Sequence, residues 1–170
     1  MRHLVLIAAA AAASPAAAEV KSAAPAGFAV ESRAVVAAAP AEAYAQIVRI
    51  DEWWDAAHSY SGNAANLSLQ ARPGGCFCER LADGGGVEHM RVVSARPGVE
   101  LRLQGGLGPL QAEAVTGSLS WSLKPAGAGT EIVQRYVVGG YVEGGADRIA
   151  PAVDQVLAGQ LLRLQQKLAR

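Results

Sequence analysis

The sequence predicts an α+β domain: a curved antiparallel sheet of about six to seven strands around a long C-terminal helix, with two short helices after the first strand. Three observations predict it. Alternating apolar runs recur at short intervals between Leu67 and Val138, separated by glycine-rich turns. The segment 147–169 carries the longest helical stripe, with Ile149, Val153, Val156, Leu157, Leu161, Leu164 and Leu168 on one face. A single amphipathic helix cannot bury such a stripe alone, and a sheet needs a cover for one of its faces.

The elements follow in order. Residues 1–18 have the layout of a secretory signal peptide: Arg2 and His3, an apolar run from Leu4 to Ala13, the Ser14-Pro15 break, then small residues before a cut after Ala18. The run is about 10 residues and a spanning helix needs about 20, so no membrane span is expected in the mature chain. The address this implies is periplasmic or secreted. Residues 19–27 read as a flexible leader, and 28–170 as the domain. Phe28 to Ala39 is the first strand. Pro40 opens a short helix in which Tyr44, Ile47 and Val48 share a face. Asp51 to Asp55 reads as a second helical turn, and His58 to Asn63 as a polar loop. Strands follow at 66–72, 76–81, 87–95, 99–104, 115–124 and 130–138. Gly159 inside the final helix costs about 1 kcal/mol against alanine, so either it is tolerated or a strand or ligand passes close by.

Composition removes several functions. Lys+Arg and Asp+Glu balance at 15 each, which gives nucleic acid or an anionic membrane no electrostatic hold. No phosphate loop, paired metal motif or Ser-His-Asp signature is present; the glycine-rich stretches join strands rather than opening a helix. No cofactor and no metal is therefore expected. Cys76 and Cys78 are the two cysteines. Positions i and i+2 of a flat strand lie roughly 6.5–7 Å apart, at or beyond disulfide reach. Two packed thiols, a disulfide over a bend at Gly74-Gly75, and part of a metal site all remain open.

Several segments in sequence order carry a resemblance. These are Ala39-Pro40-Ala41-Glu42-Ala43-Tyr44, Asp51-Glu52-Trp53-Trp54, Arg72-Pro73-Gly74-Gly75-Cys76-Phe77, Ala95-Arg96-Pro97-Gly98-Val99-Glu100-Leu101 and Gly129-Thr130-Glu131-Ile132. Together they resemble the START-like, or SRPBCC, superfamily with its helix-grip fold, in the branch related to the activator of the heat-shock ATPase. The resemblance spans roughly Phe28 to the C-terminus. It implies a cavity between sheet and final helix; members bind lipids, sterols, polyketides or hormones, and some cyclise polyketides or act as co-chaperones. An exported chain would not meet a cytosolic chaperone. The expectation is a binding module for a small apolar or amphipathic molecule. The alternative is a cyclase- or hydrolase-like enzyme using cavity carboxylates. A third reading is an interaction domain whose interior is filled.

Site candidates follow from hairpin arithmetic. A turn at Gly84-Gly85 sets Cys78 opposite Arg91, Arg80 opposite His89, Phe77 opposite Val92 and Glu79 opposite Met90. Phe77, Glu79, Glu88 and Met90 then face the cavity, and Cys78 and His89 face away; a one-residue slip reverses this. A carboxylate in an apolar cavity is a candidate general acid or base, or an anchor for a ligand hydroxyl. Its plainer role is a partner for Arg91 or Arg135. Trp53 and Trp54 offer flat apolar walls, His58 and Tyr60 a loop over the cavity, and Trp121 and Leu157 an inward wall. Tyr136 and Tyr141 offer hydroxyls, with Tyr141, among glycines, as a mobile gate.

Overall fold

The structure, a computed structural model, describes residues 17–169. Its elements are β1 (Ala17–Ala24), β2 (Gly27–Val36), α1 (Pro40–Val48), three single 3-10 turns (Ile50–Glu52, Ala56–His58 and Ala64–Asn66), β3 (Leu67–Leu69), β4 (Cys76–Arg80), β5 (Gly86–Arg96), β6 (Glu100–Gln104), a 3-10 segment (Gly108–Ala112), β7 (Ala114–Ala126), β8 (Gly129–Tyr141) and α2 (Ala146–Leu168). All strands join one antiparallel sheet in the order β1-β2-β8-β7-β6-β5-β4-β3. From β2, α1 and the 3-10 turns carry the chain to the far edge, and a meander from β3 to β8 returns it. The expected α+β architecture is present: a curved sheet with a long C-terminal helix.

The sheet has eight strands, one more than the seven spans read from the sequence. The addition is β1. The segment 19–27, expected as a flexible leader, forms this strand through Ala24 and then turns at Pro25-Ala26 into β2, pairing Val20 with Val30 and Ala24 with Gly27. It is an edge strand, guarded by the Lys21–Glu19 pair and a register shift between Val20 and Ser22. The first sixteen residues of the expected signal peptide lie outside the described residues. Among the described residues no helix is long and apolar enough to cross a membrane. The expected second short helix is only the 3-10 turn Ile50–Glu52.

The core lies between sheet and helix. Trp121 meets Trp53 edge-on at 6.2 Å, and its Nε1 donates to Gln134 Oε1 at 2.8 Å. Gln134 Nε2 in turn donates to the Leu157 carbonyl at 2.8 Å. This chain of buried groups fixes the height of α2 above the sheet. Gln160 Oε1 accepts from Asp55 N, and Arg163 Nε donates to the Trp53 carbonyl, so α2 also holds the tryptophan turn. The predicted stripe divides. Leu157, Leu161 and Leu164 are buried, whereas Ile149, Val153 and Val156 are only partly covered. A Cβ on Gly159 would meet nothing within 4 Å, so no strand approaches there.

Candidate functional site

The partly covered half of the α2 stripe bounds a pocket of about 480 Å³. Ile149, Val153, Val156 and Leu157 form one wall. Trp54 and the loop through His58 and Tyr60 form a second. Leu107 and Pro109 close the third side, and His89 of β5 stands at the floor.

Local chemistry positions each wall. Asp55 Oδ1 accepts from Ala57 N at 3.0 Å, which caps the Ala56–His58 turn. Trp54 Nε1 donates to the His58 carbonyl at 3.0 Å, holding the loop against the indole. Tyr60 Oη donates to the Gly108 carbonyl at 3.1 Å, which ties this loop to the opposite wall. Tyr136 Oη donates to the Gly105 carbonyl and accepts from Leu107 N, each at 3.0 Å. Burial pushes the Tyr136 phenol up to about 12, so it stays a neutral clamp on the segment that presents Leu107.

His89 faces the pocket because Glu79 pairs with Val87, and a β-bulge follows at His89. The register of β4 with β5 runs Phe77–Met90 and then Cys78–Glu88, leaving His89 as the extra residue. His89 and Met90 are consequently both buried although adjacent in sequence. The expected hairpin pairing is corrected at every position, and with it the outward placement of His89. Glu88, expected inside, lies outside and pairs with Arg91. The same stretch settles the cysteines. Cys76 and Cys78 form a disulfide on the outer face, with their Cα atoms 5.3 Å apart, closer than a flat strand would hold them. Glu88 lies close to both sulfurs, but sulfurs joined to each other are not thiolate ligands.

Glu79 is 2% exposed and supplies the charge of the site. Its carboxylate accepts from Tyr60 N at 3.0 Å, Ser61 N at 2.5 Å and His89 Nε2 at 2.9 Å. Burial opposes the ionised form, but the hydrogen bonds from Ser61, Tyr60 and His89 outweigh it and hold Glu79 below the usual carboxylate range. Burial also lowers His89 below the ordinary imidazole value, and Glu79 only partly offsets this. The His89 ring stacks on Phe77, with centroids 4.7 Å apart and planes inclined by 27°, and meets Tyr60 at 5.7 Å.

The sequence-predicted candidates therefore separate into four groups. Trp54, His58, Tyr60 and Leu157 line the pocket. Glu79 stands directly behind it through His89. Trp53, Phe77, Met90, Trp121 and Tyr136 are core residues. Glu88 and Tyr141 are exposed, Tyr141 at 68% as the last residue of β8. Sequence reasoning missed His89, because a register wrong by three residues reverses which β5 side chains face inward. It also missed Leu107 and Pro109, whose signal was two apolar residues in a glycine-rich connection.

No protein-family model matches the chain, and no curated protein matches it. Solved structures do. An uncharacterised protein from Rhizobium leguminosarum shares 18% identity at a TM-score of 0.62, over 91% of this chain and 98% of that one. Ara h 8.0201 shares 12% at 0.58, over 84% and 97%. The di-domain ARO/CYC StfQ from the steffimycin biosynthetic pathway shares 16% at 0.57, over 85% of this chain and 51% of that one. At these identities the likeness shows the fold, which is the helix-grip fold.

Proposed function

We propose that this chain is a START-like binding module that holds a small apolar or amphipathic molecule in the pocket between α2, the Trp54–Tyr60 loop and Leu107–Pro109. The observation that carries this reading is the divided helix stripe. Ile149, Val153 and Val156 present apolar surface to a space of about 480 Å³ rather than to the sheet. That volume lies in the range of small-molecule sites, roughly 300–1,000 Å³, and a mostly apolar wall with a few polar groups is their usual composition. The resemblance in sequence motifs and the fold shared with an aromatase/cyclase point the same way. Val153→Trp tests it: the indole fills the space, so uptake of an apolar fluorescent probe should fall at least about tenfold while folding is retained. Undiminished uptake would place the probe elsewhere and remove the reading.

One observation favours a second reading, catalysis. Glu79 and His89 form a buried carboxylate–imidazole pair at the pocket floor, the arrangement of a general base and its orienting group. Glu88 has no part in it. Exchange of an acidic C–H proton of a bound ketone, abolished in His89→Phe, is the measurement that separates catalyst from carrier.

Export is also part of the proposal. The basic, apolar and small-residue succession of the first eighteen residues supports it, and the disulfide suits an oxidising compartment. Removal of residues 1–18 leaves the β1 pairing from Glu19 to Ala24 in place. N-terminal sequencing of the protein recovered from a periplasmic extract should begin at Glu19.

A further inference from the structure

We propose that His89 Nδ1 is a hydrogen-bond acceptor that selects a neutral, apolar ligand carrying an O–H donor, of the phenol or enol class. This rests on the pocket reading above and goes beyond it by naming the ligand chemistry.

The protonation pattern follows from the partners. An ionised carboxylate only accepts, and Glu79 already receives Tyr60 N and Ser61 N. The 2.9 Å contact with His89 Nε2 therefore requires the proton on Nε2. In a neutral imidazole the other nitrogen then carries a lone pair. The lowered His89 value agrees with the neutral ring. None of the described residues donates a hydrogen bond to Nδ1. The ring is 5% exposed, and what it borders is the pocket. Nδ1 thus offers the pocket an acceptor, and a ligand hydroxyl can take the place of pocket water there while its apolar body fills the rest of the space.

The surroundings narrow the class. Two other polar groups beside the pocket are already engaged: Trp54 Nε1 with the His58 carbonyl and Tyr60 Oη with the Gly108 carbonyl. A ligand bearing only acceptors, such as an ether, gains nothing at the floor. A carboxylate is disfavoured more strongly, because it would meet the Nδ1 lone pair with the Glu79 charge directly behind it. Phe77 and Tyr60 flank the imidazole with flat faces, and Ile149, Val153 and Leu107 supply the apolar body of the site. A planar ring with a hydroxyl fits both.

The test uses the full chain and three probes of one shape: 2-naphthol, 2-methoxynaphthalene and 2-naphthoate. Calorimetry should give 2-naphthol about tenfold tighter binding than the methyl ether, the equivalent of one net hydrogen bond, with 2-naphthoate weakest. In His89→Phe the naphthol-to-ether ratio should fall to within about twofold. Imidazole nitrogen NMR on the wild-type protein gives a readout independent of any variant's folding. Nε2 should be protonated, Nδ1 bare, and Nδ1 should move on addition of 2-naphthol. Equal binding of alcohol and ether, both blocked by Val153→Trp, would leave the pocket standing and overturn the His89 proposal. A protonated Nδ1 in the free protein would overturn it as well. Failure of all three probes to bind would overturn the pocket reading itself, and this proposal with it.

Discussion

Replacing Glu79 with alanine is the sharpest test of how the site is built. The side chain accepts three hydrogen bonds at 2.5–3.0 Å, from two loop amides and one imidazole. Its removal leaves Tyr60 N, Ser61 N and His89 Nε2 without their acceptor in a place where Glu79 itself was 2% exposed. Each stranded donor costs about 1–3 kcal/mol, so three left wholly without water would cost about 3–9 kcal/mol. The loop can turn its amides partly to water, so the expected loss is about 3–4 kcal/mol. Against a typical domain stability of about 5–15 kcal/mol this is a large share. Urea unfolding followed by tryptophan fluorescence reads it as a lower midpoint with an unchanged slope. Hydrogen exchange at Tyr60 and Ser61 should accelerate far more than exchange in β7 and β8. Glu79→Gln keeps one acceptor oxygen and should lose less, about 1–2 kcal/mol. A Glu79→Ala loss below about 1 kcal/mol, or uniform acceleration of exchange, would refute the view that this carboxylate anchors the loop.

Gly117→Ala should destabilise by about 1–3 kcal/mol in thermal or urea unfolding, since a Cβ there would stand 2.6 Å from the Tyr136 hydroxyl and from the Gly105 carbonyl. Replacing both Cys76 and Cys78 with serine should cost only about 1–2 kcal/mol, because the bridge closes a very short loop; reductant should shift the wild-type melting temperature by a matching amount and the variant not at all. Acid should weaken the fold in two stages. His89 lies below its ordinary value of 6.5 when folded, so its contribution is present above about pH 6.5 and is lost as pH falls through the folded value. Glu79 lies below 4.5 when folded, and its contribution is lost in the same sense at lower pH. His89→Gln should flatten the first stage in a stability-against-pH profile and leave the second.

The architecture was legible where the periodicity is long. The α2 stripe from Ile149 to Leu168 and the β7 alternation through Leu119, Trp121 and Leu123 are each carried by several residues, so no single irregularity hides them. β1 was not legible, because Ala17–Ala24 has no β-branched or aromatic pattern beyond Val20; pairing with β2, not propensity, makes it a strand. The β4–β5 register failed for a different reason. Hairpin arithmetic centred the turn on Gly84-Gly85, whereas the chain turns over 81–85, so beside the turn Arg80 already faces Gly86 and Glu79 faces Val87, three residues from the expected register. That odd-numbered shift turned His89 in and Glu88 out, and the bulge at His89 then returned Met90 to the inner face opposite Phe77. The loop residues Trp54, His58 and Tyr60 were found from their chemistry, and their convergence on α2 was found only in three dimensions.

The position of the pocket follows from the filling of the interior. The face-filling residues Trp53 and Trp121 occupy the space beneath the middle of α2, and the Gln134 bridge to the Leu157 carbonyl holds the helix at that distance. Toward its C-terminus the helix is packed down by Leu161 and Leu164, both fully buried. Toward its N-terminus the partners opposite Ile149 and Val153 are loop segments, Trp54–Tyr60 and Leu107–Pro109, instead of strands. Loops hold their shape through anchors, and these two are anchored by Glu79 and by Tyr136 respectively. The two anchors act on opposite walls, and the Tyr60–Gly108 hydrogen bond joins those walls across the mouth. The contacts of the Tyr60 hydroxyl with the Gly108 carbonyl and Gln111 Oε1 are exposed, whereas the Glu79 and Tyr136 side chains that anchor the walls are buried. A ligand can enter without disturbing the core, which is the physical reason a filled interior and a binding site coexist in one small domain.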